Sequence, residues 1–240
     1  MEIKALNDFV GCSILIEMNG FNLQSSNQKL RLPQWRGCAV QLTILPQDAD
    51  SSTFKGKGSL KRAQENVCAD NCSFRVGHGL SSESCYVNHL SSKARKAQAY
   101  REGLNPIIPL YDPLLLRLSV WGDIGKAIAL DPRVKPFVES LLKRAELRLS
   151  YVSDFSKLQD WTGLFLASCQ ERAHVDKAQE LGLKMYLGTQ RALERAQELD
   201  VRPLYKCPAS GQADSRFACS TCSIRCDGLR NVVAHSVSVS

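Results

Sequence analysis

Seven of the ten cysteines in this 240-residue chain fall into two groups. The C-terminal group, Cys207, Cys219, Cys222 and Cys226, punctuates the segment CPASGQADSRFACSTCSIRC. Cys219 and Cys222 form a C-x-x-C knuckle, which lets two thiolates reach one metal from a single tight turn. Cys226 follows shortly after, and Cys207 arrives from the end of an expected strand. Four soft ligands converging from a Ser-, Gly- and Asp-rich loop suit tetrahedral zinc or an iron–sulfur cluster. The bland alternative is scattered thiols or disulfides.

The second group, Cys68, Cys72 and Cys85, lies in CADNCSFRVGHGLSSESCY. Three thiolates make an incomplete tetrahedral shell, and three readings stay open. An iron–sulfur cluster with one open iron would accept an outside ligand there. A zinc site of three cysteines would draw its fourth ligand from His78 or His89. In the third reading Cys85 is simply a buried side chain. Cys12, Cys38 and Cys169 sit in or beside apolar runs and read as small buried hydrophobes. His174 and His235 lack ligand spacing. No Ser-His-Asp arrangement, P-loop, G-x-S-x-G or G-x-G-x-x-G motif is readable, so no catalytic residue is assigned.

Something must hold these cysteines, and the chain is long enough for a core that needs no disulfides. The start, MEIKALNDFVGCSILIEMNG, has acidic residues and no basic leader, so it does not read as a signal peptide. No apolar run approaches the roughly 20 residues of a membrane span. A cytoplasmic protein with reduced thiols is therefore expected, which favours metal over disulfides. The net charge is +7, and the cations gather in two segments, 55–62 and 93–101. They read either as solvated faces or as a surface for nucleic acid.

The first part of the chain reads as extended: SILIEM (13–18) and AVQLTIL (39–45) are expected strands, with a polar loop from 47 to 59. A serine-capped helix is expected over 91–101. Thereafter strand and helix alternate. PLLLRLSV runs into Trp121-Gly122-Asp123, and a helix opens near Pro136. LRLSYV, LFLA, KMYLG and VRPLY are expected strands, with ERAHVDKAQEL and QRALERAQEL as helices and Gly182 as a helix stop. This rhythm predicts an α/β fold of parallel βαβ units, as a partial or complete parallel β/α barrel rather than a flat doubly wound sheet. Trp121-Gly122-Asp123, Ser153-Asp154, Ser168-Cys169, Gly188-Thr189 and Cys207 would then share the rim at the strands' C-terminal ends. The expected organisation is an α/β domain over 1–206, a four-cysteine metal segment over 207–230 and a tail over 231–240.

In order along the chain, SNQKLR, a strand ending in ILP, NVCADNC, SCY, RLSVWGD, LAS before a helix and CPAS…C-x-x-C-x3-C resemble the phage gene-product-eighty-eight family. That family in turn resembles radical S-adenosylmethionine proteins, in which a partial barrel carries a three-cysteine cluster. The resemblance implies that Cys68, Cys72 and Cys85 ligate a four-iron cluster whose open iron chelates S-adenosylmethionine. It further implies that Gly122-Asp123 receives the methionine ammonium, that Ser168 touches the cofactor, and that the terminal cysteines hold an auxiliary cluster or zinc. The chain departs from the pattern in the long gap between Cys72 and Cys85 and in a single Asp123 where an acidic pair is usual. A phage or mobile-element enzyme acting on an unknown substrate is the first expectation. A zinc-stabilised nucleic-acid-binding protein is the alternative.

Overall fold

The computed structural model describes residues 1–20, 37–55, 57–72, 75, 90–112, 114–118, 121–207 and 230–233. Cys85, Cys219, Cys222, Cys226, His78, His89 and His235 lie outside the described residues. Two apolar, β-branched runs start the sheet. β3 (Cys12–Met18) and β4 (Ala39–Pro46) pair antiparallel from Cys12↔Pro46 to Met18↔Val40, and every residue of both is buried. Strands buried on both faces need cover on both sides, so this part of the sheet must be packed above and below. β2 (Leu6–Phe9) joins β3 as a hairpin through Gly11, whose φ of +74° suits glycine. β1 (Glu2–Lys4) pairs separately with β5 (Ile107–Pro109).

Beyond β4 the sheet is parallel. β6 (Leu114–Leu118), β7 (Ala145–Val152), β8 (Leu166–Cys169) and β9 (Met185–Leu187) follow side by side, then β11 (Asn231–Val233), with β10 (Leu204–Lys206) outermost. Strand order follows chain order from β2 to β9 without reversing, so the sheet is singly wound and has no switch point of the doubly wound kind. Among the described residues the sheet stays open between β2 and β10, so a complete barrel is not formed. The segment expected to be a tail begins inside the sheet, because Asn231–Val233 pairs with both β9 and β10.

Residues opposite each other in register share a face. Glu17, Gln41 and Arg117 are such a series, and the same parity runs on to Ser168, Tyr186 and Tyr205. The other face carries buried Ile14, Ile16, Leu42, Ile44, Leu116 and Leu118 and continues to Ala167, Cys169, Met185 and Leu187, with Arg148 and Ser150 on the intervening β7. The helices are α1 (Lys57–Val67), α2 (Leu90–Ala99), α3 (Ile124–Leu130), α4 (Val134–Leu142), α5 (Arg172–Glu180) and α6 (Gln190–Glu198). α5 covers the second of these faces, since the Cys169 thiol meets the His174 carbonyl. α2 covers the polar face, since its lysines reach Glu17. α2, within the connection from β4 to β6, thus packs on the face opposite α5.

The expected strands and helices form with end shifts of a few residues; β8, for one, starts at Leu166 rather than Leu164. Gly182, at φ +64°, closes α5 as its sequence position predicts. Part of the polar loop expected over 47–59 is instead the first turn of α1. No helix among the described residues is long and apolar enough to cross a membrane.

Candidate functional site: the strand-end rim and the polar sheet face

Every parallel strand ends on the same edge of the sheet, and most of the residues singled out by sequence arrive there. Asp123 is the N-cap of α3. Its Oδ1 accepts from the backbone N–H of Gly125 (2.8 Å) and Lys126 (3.2 Å). Its Oδ2 accepts from Ser153 (2.8 Å) and Asp154 (3.3 Å), just past β7. One buried carboxylate thus satisfies the helix start and ties the ends of β6 and β7 together. Burial pushes its carboxyl up, against the N–H donors of Ser153, Lys126 and Asp154 that favour the anion.

The glycines here are required by contact. Gly122 has φ +73°, and a Cβ on it would lie 2.7 Å from the Ile44 carbonyl oxygen. A Cβ on Gly125 would overlap the Asp154 carbonyl. Gly125→Ala should therefore force α3 away from β7 and cost about 2–3 kcal/mol or more. Gly182→Ala, strained in φ but with nothing within 4 Å, should cost only about 1 kcal/mol. Thermal melts of the two variants would test the difference; equal losses would show that the close approach at Gly125 adds no cost.

The Cys68–Cys72 turn is seated against this same part of the rim. Cys68 extends the hydrogen bonding of α1, donating to Gln64 O at 2.8 Å, and Val67 O accepts from the Asp123 amide at 2.7 Å. Asn71 Nδ2 donates to Ser153 O at 3.1 Å. Asp70 receives Lys126 (3.0 Å) and Arg75 (2.7 Å), and these partners hold its carboxyl below the usual range. Arg75 Nη1 also donates to Ala69 O at 3.3 Å. Cys68 is buried within the core and Cys72 is half-buried.

Ser168 is the penultimate residue of β8. Its hydroxyl accepts from Gln170 Nε2 at 3.2 Å, and a Cβ on Gly188 would strike that same amide. Thr189 Oγ1 donates to the Gln170 backbone carbonyl, and the Gln170 backbone N–H donates to His174 Nδ1 at 3.3 Å. Cys207 follows β10, its N–H donating to Val233 O at 2.9 Å. The fold therefore brings Cys68, Cys72, Gly122 and Asp123 together at β6 and β7. Cys207 emerges at the far edge, with β8, β9 and β11 between. Among the described residues no group of three or more His, Cys, Asp or Glu is arranged to hold a metal ion. Cys12 and Cys169 are buried as expected, whereas Cys38, just before β4, is only half-buried; burial pushes the thiols of Cys12 and Cys169 up, Cys12 to about 12.

The polar face holds residues that sequence reasoning passed over. Glu17 is fully buried in the strand read simply as apolar. Its Oε2 receives Lys93 and Gln41 Nε2 (2.7 Å), and its Oε1 receives Lys96 at 2.7 Å. Burial opposes its ionisation, yet Lys93 and Lys96 prevail and hold the carboxyl below its ordinary value. Burial likewise pulls the Lys93 ammonium down, with Glu17 pulling it back up. Arg101 donates to Ala49 O (2.7 Å) and Ser13 Oγ (2.9 Å) and faces Asp8 at 3.5 Å. Of the cations in 93–101, Arg95 is exposed, Lys93 is buried, and Lys96 and Arg101 are half-buried. The available signal was one acidic residue inside a run of β-formers, with lysines spaced three apart on an Ala-rich helix. Buried polar atoms without a hydrogen-bond partner among the described residues include Gln41 Oε1, Thr43 Oγ1, Trp121 Nε1 and Gln170 Oε1. No protein-family model, curated protein or solved structure matches this chain.

Proposed function

We propose that the protein is an iron–sulfur enzyme of the radical S-adenosylmethionine type, built on a partial β/α barrel. The observation that carries this reading is the seating of the Cys68–Cys72 turn on Asp123 and Ser153, at the C-terminal ends of singly wound parallel strands. Gln170 Oε1, buried beside Ser168 and without a partner among the described residues, fits a rim that takes a polar cofactor.

In this reading Cys68, Cys72 and Cys85 hold a four-iron cluster, and Cys207, Cys219, Cys222 and Cys226 hold a second cluster or zinc. The cluster would supply the electron that cleaves the sulfonium of S-adenosylmethionine. The chain's own residues do the positioning. Asp70, held by Lys126 and Arg75, and Asn71, held by the Ser153 carbonyl, fix the cysteine turn. Gly122 and Gly125 let the strand ends approach closely, and Ser168 and Gln170 offer an alcohol and an amide to the cofactor. Asp123, with four backbone donors on its carboxylate, sets the amides of Ser153 and Asp154 and thereby the shape of the rim.

Anaerobically purified protein should be brown, with iron and acid-labile sulfide. Cys72→Ala should remove the iron of one site while Cys219→Ala spares it. A colourless protein holding zinc alone would end this reading.

A further inference from the structure

We infer that the polar sheet face binds a small anionic ligand, a carboxylate or phosphate monoester carrying an adjacent O–H or N–H donor, through Arg117, Thr43 and Gln41. Of Lys93, Lys96, Arg101 and Arg117 on this face, the first three have acidic partners. Arg101 is matched by Asp8, and the single buried carboxylate of Glu17 is shared by Lys93 and Lys96. Arg117 is half-buried on β6 and has no acidic or carbonyl partner among the described residues. Lys96 and Arg117 both act on Lys93 as like charges, opposed there by Glu17. Withdrawing a guanidinium from water without an anion is costly, and a bound anion relieves that cost.

The neighbours of Arg117 state what else the ligand must carry. Gln41 is its register partner on β4. The Gln41 amide orientation is fixed, because Nε2 must face the Glu17 carboxylate. Its Oε1 is then a fully buried acceptor with no donor among the described residues. Thr43, two residues on and therefore on the same face, presents a fully buried hydroxyl with no partner among the described residues. A cation, a hydroxyl and a carbonyl acceptor on one face of neighbouring strands match an oxyanion with a donor a few bonds away. A bare anion would leave Gln41 unsatisfied, and a neutral alcohol would leave Arg117 so.

The inference concerns the chain without metal, so its failure and that of the iron–sulfur reading are separately visible. The test is calorimetry and thermal shift on full-length protein, with malate and glycerol 3-phosphate as probes. Succinate and inorganic phosphate, which lack the neighbouring hydroxyl, serve as their controls. Malate or glycerol 3-phosphate should bind at least about tenfold tighter than its control, and which of the two wins tells carboxylate from phosphate. Arg117→Met should weaken that binding at least about tenfold. Thr43→Val should weaken it several-fold. Because Arg117 repels Lys93 and has no structural partner among the described residues, the ligand-free Arg117→Met protein should melt no lower than the parent. No binding of either probe at millimolar concentration, or binding unchanged in Arg117→Met, would overturn the inference. A large fall in the melting temperature of ligand-free Arg117→Met would do the same, by showing that the guanidinium is a structural group.

Discussion

Replacing Glu17 by Gln should cost about 3–5 kcal/mol, a large share of the stability of a domain this size. The amide keeps the shape but removes the one negative charge between Lys93 and Lys96, which are 6% and 18% exposed. Two ammonium groups would then face each other with a neutral partner, in a place where water cannot screen them. The double variant Glu17→Gln with Lys93→Met should recover about half of the loss or more, because a pair removed together leaves no stranded charge. Urea unfolding of the parent, both single variants and the double variant measures this. Simple additivity of the two losses would mean that the ion pair contributes nothing.

The same group sets an acid limit. Glu17 titrates below the ordinary carboxylate range in the folded chain. Its contribution is therefore complete above the unfolded-state value and is lost as pH falls through the depressed folded value. The parent should lose stability on acidification in that window, and Glu17→Gln should show a flatter dependence there. Thermal melts across an acid pH series decide it.

Glu17 also shows where the sequence stops being readable. SILIEM announces a strand through its β-branched residues, and period-two alternation puts Ser13, Leu15 and Glu17 on one face. Nothing local says that this face is covered, or that α2, more than seventy residues later in the chain, supplies the cover. Charge in 93–101 reads as a solvated or phosphate-binding surface because composition cannot distinguish a lysine in water from one folded onto a glutamate. The second half is more legible, since its strands and helices are linked by short connections and Gly182 marks a stop. α1 escapes detection because Lys, Gly and Ser at its start imitate a loop, and its few buried residues leave a weak apolar stripe. β11 escapes because three residues carry no periodicity, and only pairing with β9 and β10 makes them a strand. At the rim, the convergence of strand ends is a consequence of topology and was foreseeable. That Asp123 is consumed by backbone amides was foreseeable in part: an Asp just before an apolar helix is an N-cap signal. Its reach to Ser153 and Asp154 depends on β7 lying beside β6, which only the fold supplies.

That double duty makes Asp123 the sharper test of the rim. Asp123→Ala would leave the N–H groups of Gly125, Lys126, Ser153 and Asp154 without their acceptor, in a setting where Asp123 itself is 5% exposed. The loss of a helix cap is worth about 1 kcal/mol, and each buried donor left unpaired adds about 1–3 kcal/mol. A total of about 3–5 kcal/mol is expected after local relaxation. Asp123→Asn should not rescue it. The amide oxygen can serve two of the donors, but the NH2 group would confront the other two. Both variants should therefore melt far below the parent, with faster hydrogen exchange at Gly125 and Ser153. The opposite result has a definite meaning. If Asp123→Asn keeps its melting temperature and its exchange protection while S-adenosylmethionine binding disappears, the carboxylate serves a ligand ammonium, as the family resemblance implies. With four amides already on its oxygens, the carboxylate has little capacity left for an ammonium group. Loss of stability should therefore appear first, with and without cofactor.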